Sequence, residues 1–489
     1  MLAAGVLHTA AFAPTYLWPL QILALALLAW VVGSSTPRRA AWLGGCFSFG
    51  WLVSGLWWLY ISMHQFGDLP AVMAAAAVLL LAAALSVYPA LALALYARLR
   101  SGRPLADGLL FAACWLLAEL ARGQCFTGFP WIASGYAHSS GPLATLAPWI
   151  GVYGIGACAA LIAYALAAAW QPAGRSKALP ALAVGLPLAA FLAPAGFTTS
   201  SGELRVSLLQ PNVAQDLKFD PQQMSQNMAT LLDQLRLAQG DLVLTPESVV
   251  PVTQADLDPA YWAALIQPFS EGQRSALIGT FLGNEAEGYV NSLVGVSAAQ
   301  QARHGDLYHY GKRHLLPFGE YMPPGLHWFV ELMKIPLGDQ ASGHNEAPFE
   351  VGTQRVRPLI CYEDLFGEDF AASVVGPEAA TVLVNASNLA WFGRHMIQAQ
   401  HLQFSRMRAM EFRRPQVRAT NTGATAVIDH LGNVTARLPP DVEGELDASV
   451  EGRIGDTPYA IWMSQWRLWP LWGLALALLL VGLLVPRKH

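Results

Sequence analysis

Long unbroken apolar runs fill the first two hundred positions of this chain, and short apolar runs set between polar stretches fill most of the remainder. Divided at charges and prolines, the first region gives runs at 17–33, 41–62, 70–97, 105–121, 143–170 and 178–195, and another lies at 467–485. Each is near or above the roughly 17–25 residues that a membrane-crossing helix needs. Residues 1–13 are apolar but short, and form a candidate eighth span. They lack the basic start of a signal peptide and are not expected to be cleaved.

Residues 203–456 carry a different pattern. Leu204–Gln210, Asp241–Thr245, Ala276–Thr280, Tyr289–Val296, Val356–Cys361 and Thr381–Asn385 read as strands. Pro221–Gln239, Pro259–Phe269, Leu365–Val375 and Met396–Arg413 read as helices. Val417–Asn421 and Ala424–Asp429 form a candidate hairpin around Thr422 and Gly423. Strands that are nearly all apolar imply a sheet covered on both faces, so this part is expected to be an α/β domain.

Composition agrees with a split chain. The 489 residues are 54% hydrophobic and 13% charged, against about 25% charged in soluble domains. Only Asp68, Asp107 and Glu119 are acidic before residue 200. The expected organisation is membrane helices over 1–196, a polar domain over 203–456 and a last membrane helix over 467–485. No basic block points to nucleic acid.

Lysine and arginine set the orientation. Arg38, Arg39, Arg98, Arg100, Arg103, Arg175, Lys177, Arg487 and Lys488 fall on one set of loops, and Arg122 alone on the alternate set. Positive charge marks the cytoplasmic side, so the polar domain is expected on the outer face.

Cys361 is the only cysteine in the polar domain; Cys46, Cys114, Cys125 and Cys158 lie in apolar runs. It is therefore either a buried inert thiol or a nucleophile. Glu247 follows one predicted strand, and Lys312 precedes Glu320 by eight residues in a polar stretch after another. Chemistry in open α/β sheets collects at strand carboxyl ends. A carboxylate can take a thiol proton, an ammonium can stabilise an oxyanion, and a second carboxylate can orient either group. The competing reading leaves Glu247, Lys312 and Glu320 as ordinary solvated charges.

These segments resemble the carbon–nitrogen hydrolase (nitrilase) superfamily, and most closely its apolipoprotein N-acyltransferase branch. The resemblance rests on Phe126-Thr-Gly-Phe-Pro-Trp131, Gly141–Pro148, the Glu247 segment, Lys312–Tyr321, Cys361-Tyr-Glu363, Arg406–Glu411 and Arg418–Gly423. It implies a nitrilase-like αββα sandwich beside a polytopic α-helical membrane domain, in a bacterial inner membrane with the catalytic domain in the periplasm. It implies Glu247 as general base, Lys312 as oxyanion-stabilising cation and Cys361 as nucleophile. Glu320 and Glu363 match further functional glutamates, and Tyr362 is expected beside the acyl group. The implied reaction moves a fatty acyl chain from a phospholipid, expected to be phosphatidylethanolamine, through a Cys361 thioester to the α-amine of a diacylated apolipoprotein. No metal or organic cofactor is implied. Leu389 departs from the family, which commonly has aspartate there.

Other features keep two readings each. Glu119 and Arg122 form either a functional intramembrane pair or an interfacial one. Phe126–Trp131 either lines a lipid path through Trp131 or belongs to an aromatic belt. Trp391 and Phe392 are a lid, an acyl-pocket wall or core. His304, His309 and His314 lack the spacing of a metal site. Competing functions are a membrane-tethered amidase, a transporter whose outer domain binds ligand, and a Cys–His hydrolase using His314 or His401.

Overall fold

The structure, a computed structural model, describes residues 1–170, 178–192, 194–218, 220–317, 319–321 and 340–486. They form two compact units: Met1–Tyr60 with Ala71–Ala195 and Gln465–His489, and Ile61–Pro70 with Gly196–Ser464.

The first unit is helical. Its helices are Leu2–Thr9, Trp18–Val32, Pro37–Leu56, Ala71–Leu99, Pro104–Gln124, Ala147–Ala169, Ala178–Leu192 and Trp469–Leu484, one in each expected run. Among the described residues Ala71–Leu99, Pro104–Thr127 and Pro142–Ala169 are each long and apolar enough to cross a membrane. The expected spans at 17–33 and 178–195 form helices of 15 residues. At about 1.5 Å per residue these fall short of a hydrocarbon core about 30 Å thick. Leu2–Thr9 has only 8 residues, so it makes no span; Gly5 lets it lie directly on the backbone at Phe47, where a Cβ would come within 1.9 Å of a carbonyl. Arg100 donates to the carbonyl of Val32 at 2.8 Å, which gathers the Arg38/Arg39 and Arg98–Arg103 loops at one end. Arg175, Lys177, Arg487 and Lys488, also counted for orientation, lie outside the described residues.

The second unit holds two six-stranded mixed sheets. In the first, β1 (Thr199–Gln210), β2 (Leu242–Leu244) and β3 (Ser275–Asn284) run parallel. β4 (Gly288–Ser297) and β5 (Tyr308–Gly311) continue it antiparallel. In the second, β6 (Phe349–Val351) precedes the parallel set β7 (Gln354–Ile360), β8 (Val382–Ser387) and β9 (Gln416–Thr420). β10 (Ala426–Ile428) and β11 (Val434–Arg437) close that sheet. β12 (Gly444–Ile454) returns to pair antiparallel with β1.

Every residue of β2, β8 and β9 is buried, as strands covered on both faces must be; β2 is wholly apolar, while β9 buries Gln416 and Arg418 as well. Leu231, Leu235, Leu265 and Phe269 of helices Pro221–Leu237 and Pro259–Ser270 pack with Leu209, Val243 and Ile278 of the first sheet. Helix Met396–Phe412 packs through Leu402 and Ala409 on Ala426 and Ile428 of the second. Contacts of β1 with β7 and β9, and of β4 with β6, join the sheets between these helical layers. The expected helix at 365–375 is instead three short turns, Cys361–Leu365, Gly367–Phe370 and Ala371–Val374. The backbone leaves the helical region at Phe366 (φ −113°, ψ 71°) and Phe370 (φ −125°, ψ 0°), which separates the three. Strands β5, β6, β11 and β12 were not expected; β5, β6 and β11 are short, and β11 and β12 are largely exposed, so none makes a strong apolar run.

Candidate active site

Glu247, Lys312 and Cys361 each come just after the carboxyl end of a strand, β2, β5 and β7 respectively. The turn that carries Glu247 lies against Gly279 of β3, where a Cβ would sit 2.2 Å from the Pro246 carbonyl. Lys312 is pinned through its main chain, donating to the Asn291 carbonyl at 2.8 Å. Its ammonium lies 3.0 Å from Glu247 Oε1 and 2.7 Å from Glu320 Oε1. Asn291 Nδ2 donates to the same two oxygens, at 2.7 and 3.1 Å. The other oxygen of Glu247 accepts the Asn388 main-chain N–H at 2.9 Å, and that of Glu320 accepts the Leu316 N–H at 2.9 Å. These groups are buried: Lys312 is 1% exposed, Glu247 6% and Cys361 8%.

Cys361 sits at φ +51°, the left-handed region that side chains other than glycine rarely enter. The chain there turns out of β7 into a 3-10 turn. Glu363 holds that turn. It accepts the Ile360 N–H at 2.7 Å, the Arg313 N–H at 2.7 Å, the His314 N–H at 3.2 Å and the Tyr310 hydroxyl at 2.7 Å. Asn385 Nδ2 donates to the Cys361 carbonyl at 3.2 Å.

Electrostatics separate the roles. Burial raises the Cys361 thiol far above its ordinary value, the Glu247 charge and a hydrogen bond to Glu247 add to this, and Lys312 opposes it. Burial alone would raise Glu247 too, but the Lys312 ammonium and hydrogen bonds from Lys312, Asn388 and Asn291 hold it below the usual carboxylate range. Burial opposes the charge of Lys312, and the Glu247 and Glu320 carboxylates outweigh that and keep it protonated. The resting combination is a neutral thiol beside an ionised carboxylate and an ammonium. Such a group can deliver a thiolate at the moment of attack, with a cation ready for the oxygen that becomes charged.

The structure thus brings Glu247, Lys312, Glu320, Cys361 and Glu363 into one network. Tyr362 is buried with its ring edge-on to Phe366, centroids 5.1 Å apart. Trp391 meets Phe66 edge-on at 5.8 Å, and Phe392 is buried beside it. Leu389 is buried as well. Trp131 belongs to the helical unit, where its ring packs 4.8 Å from Trp58. Also in that unit, Glu119 and Arg122 form a buried pair at 3.1 Å. Arg122 donates to the carbonyls of Phe129 and Trp131, and Glu119 accepts the Ser134 N–H at 2.6 Å. The pair therefore holds the Phe126–Trp131 loop in shape. Two histidine candidates have ring partners of their own: His314 Nδ1 lies 3.1 Å from Asp369, and His401 Nδ1 accepts from Arg418 at 2.7 Å. Among the described residues no group of three or more His, Cys, Asp or Glu side chains is placed to hold a metal ion.

Three contributors were not singled out from sequence. Asn291 was detectable as a lone amide in an apolar strand. Asn388 acts through its main chain, which no side-chain pattern reports. Lys218 is buried, donates to Ser248 Oγ at 2.7 Å and is coupled to Glu247; burial pushes its pKa down to about 8.

Residues 4–165 match the apolipoprotein N-acyltransferase N-terminal domain, and residues 205–459 match the carbon–nitrogen hydrolase family. The apolipoprotein N-acyltransferase of Verminephrobacter eiseniae is 46% identical, with 96% of this chain and 92% of that protein covered. That of Ralstonia nicotianae is 47% identical, with 93% and 88% covered. A solved CN-hydrolase superfamily protein from Xanthomonas campestris is 20% identical, covers 55% of this chain and 96% of its own, and superposes with a TM-score of 0.39. On the strength of relatives that share nearly half their residues along almost its whole length, this chain belongs to the apolipoprotein N-acyltransferase family.

Proposed function

We propose that this protein transfers a fatty acyl chain from a phospholipid to the N-terminal α-amine of a diacylglyceryl-cysteine on an apolipoprotein, by way of a thioester on Cys361. The observation that carries the reading is the buried Lys312 ammonium held between Glu247 at 3.0 Å and Glu320 at 2.7 Å, in the same network of strand ends as the buried Cys361.

In the first half-reaction Glu247 takes the thiol proton as Cys361 attacks the ester carbonyl. Lys312 stabilises the oxyanion. Collapse breaks the ester C–O bond, and the leaving alkoxide takes the proton from Glu247, releasing a lysophospholipid. In the second, the neutral amine of the acceptor attacks the thioester, Glu247 accepts the amine proton, and the proton passes to the departing thiolate. An amide forms and the free thiol returns. Glu320 holds Lys312 in place, and Glu363 holds the cysteine turn. Trp391, Phe392 and Tyr362 form the apolar surround of the acyl chain.

The basic loops gathered at one end of the helical unit support an inner-membrane protein whose catalytic domain faces the periplasm. Phosphatidylethanolamine is the donor that this reading favours. An amidase that releases its thioester to water is not favoured, because relatives matching along the whole chain are N-acyltransferases.

Intact-protein mass spectrometry after incubation with phospholipid tests the reading. A fatty-acyl adduct that hydroxylamine removes, that Cys361→Ala lacks and that a diacylated lipopeptide discharges is expected. An enzyme that forms no adduct, or whose adduct the lipopeptide leaves in place, overturns it.

A further inference from the structure

Ser248, the residue after Glu247, sits at φ +48°. That is the left-handed region, where a serine stays only if its surroundings hold it. A buried charge does so here: Lys218 Nζ donates to Ser248 Oγ at 2.7 Å. Lys218 is 6% exposed, and among the described residues its ammonium makes no ion pair. A buried ammonium without a paired carboxylate costs stability that an apolar side chain of similar length would not. The lysine also lies by Glu247 itself. Both residues line one cavity of about 20 Å³, with Asn227 and Asn421. The segment that carries Lys218 is fixed in turn. Asn421 accepts the Val213 N–H at 2.9 Å and donates to the Val213 carbonyl at 2.8 Å. Gln215 Oε1 accepts from Asn388 Nδ2 at 2.8 Å, and the Asn388 N–H donates to Glu247 Oε2 at 2.9 Å. Residues 213–218 thus reach Glu247 by two routes, one through Ser248 and one through Asn388.

Resting on the transferase reading above, we infer that Lys218 is a positioning residue for Glu247, which keeps the carboxylate aimed at the Cys361 thiol by locking the Ser248 main chain. It touches no substrate and moves no proton. Its part matches that of Glu363, which holds the turn at Cys361, where the chain also takes a positive φ of 51°. The two strained positions of the site, one beside the base and one at the thiol, are each secured by a buried side chain from outside or beyond the turn. A hydroxyl and an ammonium suit the task at Ser248: the ammonium brings three donors, and the charge strengthens the bond to the oxygen. The charge of Glu247 in turn favours the protonated form of the lysine.

The test follows a single turnover of full-length enzyme in detergent with phosphatidylethanolamine. It reads the rate constant of Cys361 thioester formation at saturation and the phospholipid concentration at half-saturation. A single-turnover rate constant does not depend on the fraction of enzyme that is folded, so loss of stability alone leaves it unchanged. Lys218→Met is expected to lower the saturating rate constant by about 10- to 10²-fold, up to the scale of a misplacement near 1 Å, and to leave half-saturation as in wild type. Ser248→Ala, which keeps the lysine, is expected to do the same. The double variant is expected to lose no more than the larger single loss, because both changes remove one contact. Should Lys218→Met not fold, Ser248→Ala alone decides, since it removes only a hydroxyl. Either single variant at the wild-type rate constant overturns the inference, as does a double variant whose loss is the product of the two. An effect confined to half-saturation also overturns it, and would put Lys218 on the phospholipid path. Wild-type enzyme that forms no thioester overturns the transferase reading instead.

Discussion

The carboxylate of Glu363 accepts the main-chain N–H of Arg313 at 2.7 Å, and so ties the turn that carries Cys361 to the loop that carries Lys312. Its other oxygen binds Ile360 at 2.7 Å, the residue just before Cys361. One side chain, 4% exposed, thereby sets the spacing of two segments of the candidate site that are nearly fifty residues apart in sequence.

Glu363→Gln is therefore expected to harm rate more than fold. The amide would turn an NH2 group toward main-chain donors, loosening the turn. A loss of about 10²-fold in kcat is expected, the scale of a misplacement near 1 Å. Tyr310→Phe, which removes only the hydroxyl bond at 2.7 Å, should cost far less. Single-turnover acylation of Cys361 measures both, and equal losses would remove the positioning role.

Glu247→Gln should abolish the proton step in both half-reactions, with a fall of about 10²–10⁴-fold. Because Lys312, Asn388 and Asn291 hold Glu247 below the usual carboxylate range, its acid limb should lie under the ordinary glutamate value of about 4.3. Rates between pH 5 and 7 should then show no loss of base. A Cys–His enzyme would instead keep activity in Glu247→Gln and lose it below a histidine pKa; the pH profile of thioester formation separates the two.

Lys218 should make stability depend on pH. Burial pushes its pKa from 10.5 down to about 8. Below about 8 both folded and unfolded chains hold the proton, and the buried charge lowers stability in full. Between about 8 and 10.5 the folded state releases the proton while the unfolded state keeps it, so this contribution to stability rises with pH. Lys218→Met should remove that rise. Thermal unfolding in detergent across pH 7–10.5, wild type minus variant, reads it directly; parallel curves would contradict the assignment.

Asp364 and Arg418 form an ion pair at 3.0 Å, both side chains fully buried. Gln416 donates to the same carboxylate at 2.8 Å, and Ser405 also bonds it. Asp364→Ala leaves the guanidinium buried without its counter-charge, and a loss of roughly 3–5 kcal/mol is expected. Chemical denaturation of the purified protein would show it as a lower midpoint. The double variant Asp364→Ala with Arg418→Met should recover part of the loss, since it removes the stranded charge.

Much of this molecule was readable in one dimension, for reasons that differ by element. Membrane helices and doubly covered strands need runs of apolar residues whatever surrounds them, so Ala71–Leu99 and Val382–Ser387 were apparent from hydrophobicity alone. Glu247 and Cys361 were apparent as reactive types at the ends of such runs, and Lys312, which follows the short polar strand β5, through a motif that resembles a family. The helix expected at 365–375 is interrupted at Phe366 and Phe370, where the backbone leaves the helical region, and side-chain pattern carries no record of that break.

The chain by itself determined which segments are apolar enough for membrane or sheet and which reactive side chains are available. Only the tertiary structure decided that Glu247 keeps its charge, because the groups that hold it ionised come from β4, β5 and the end of β8. It also decided that Ile61–Pro70 joins the two-sheet unit. These are long-range contacts made through main-chain atoms, burial and shape. No local pattern encodes them, because their free energy exists only once distant segments have come together.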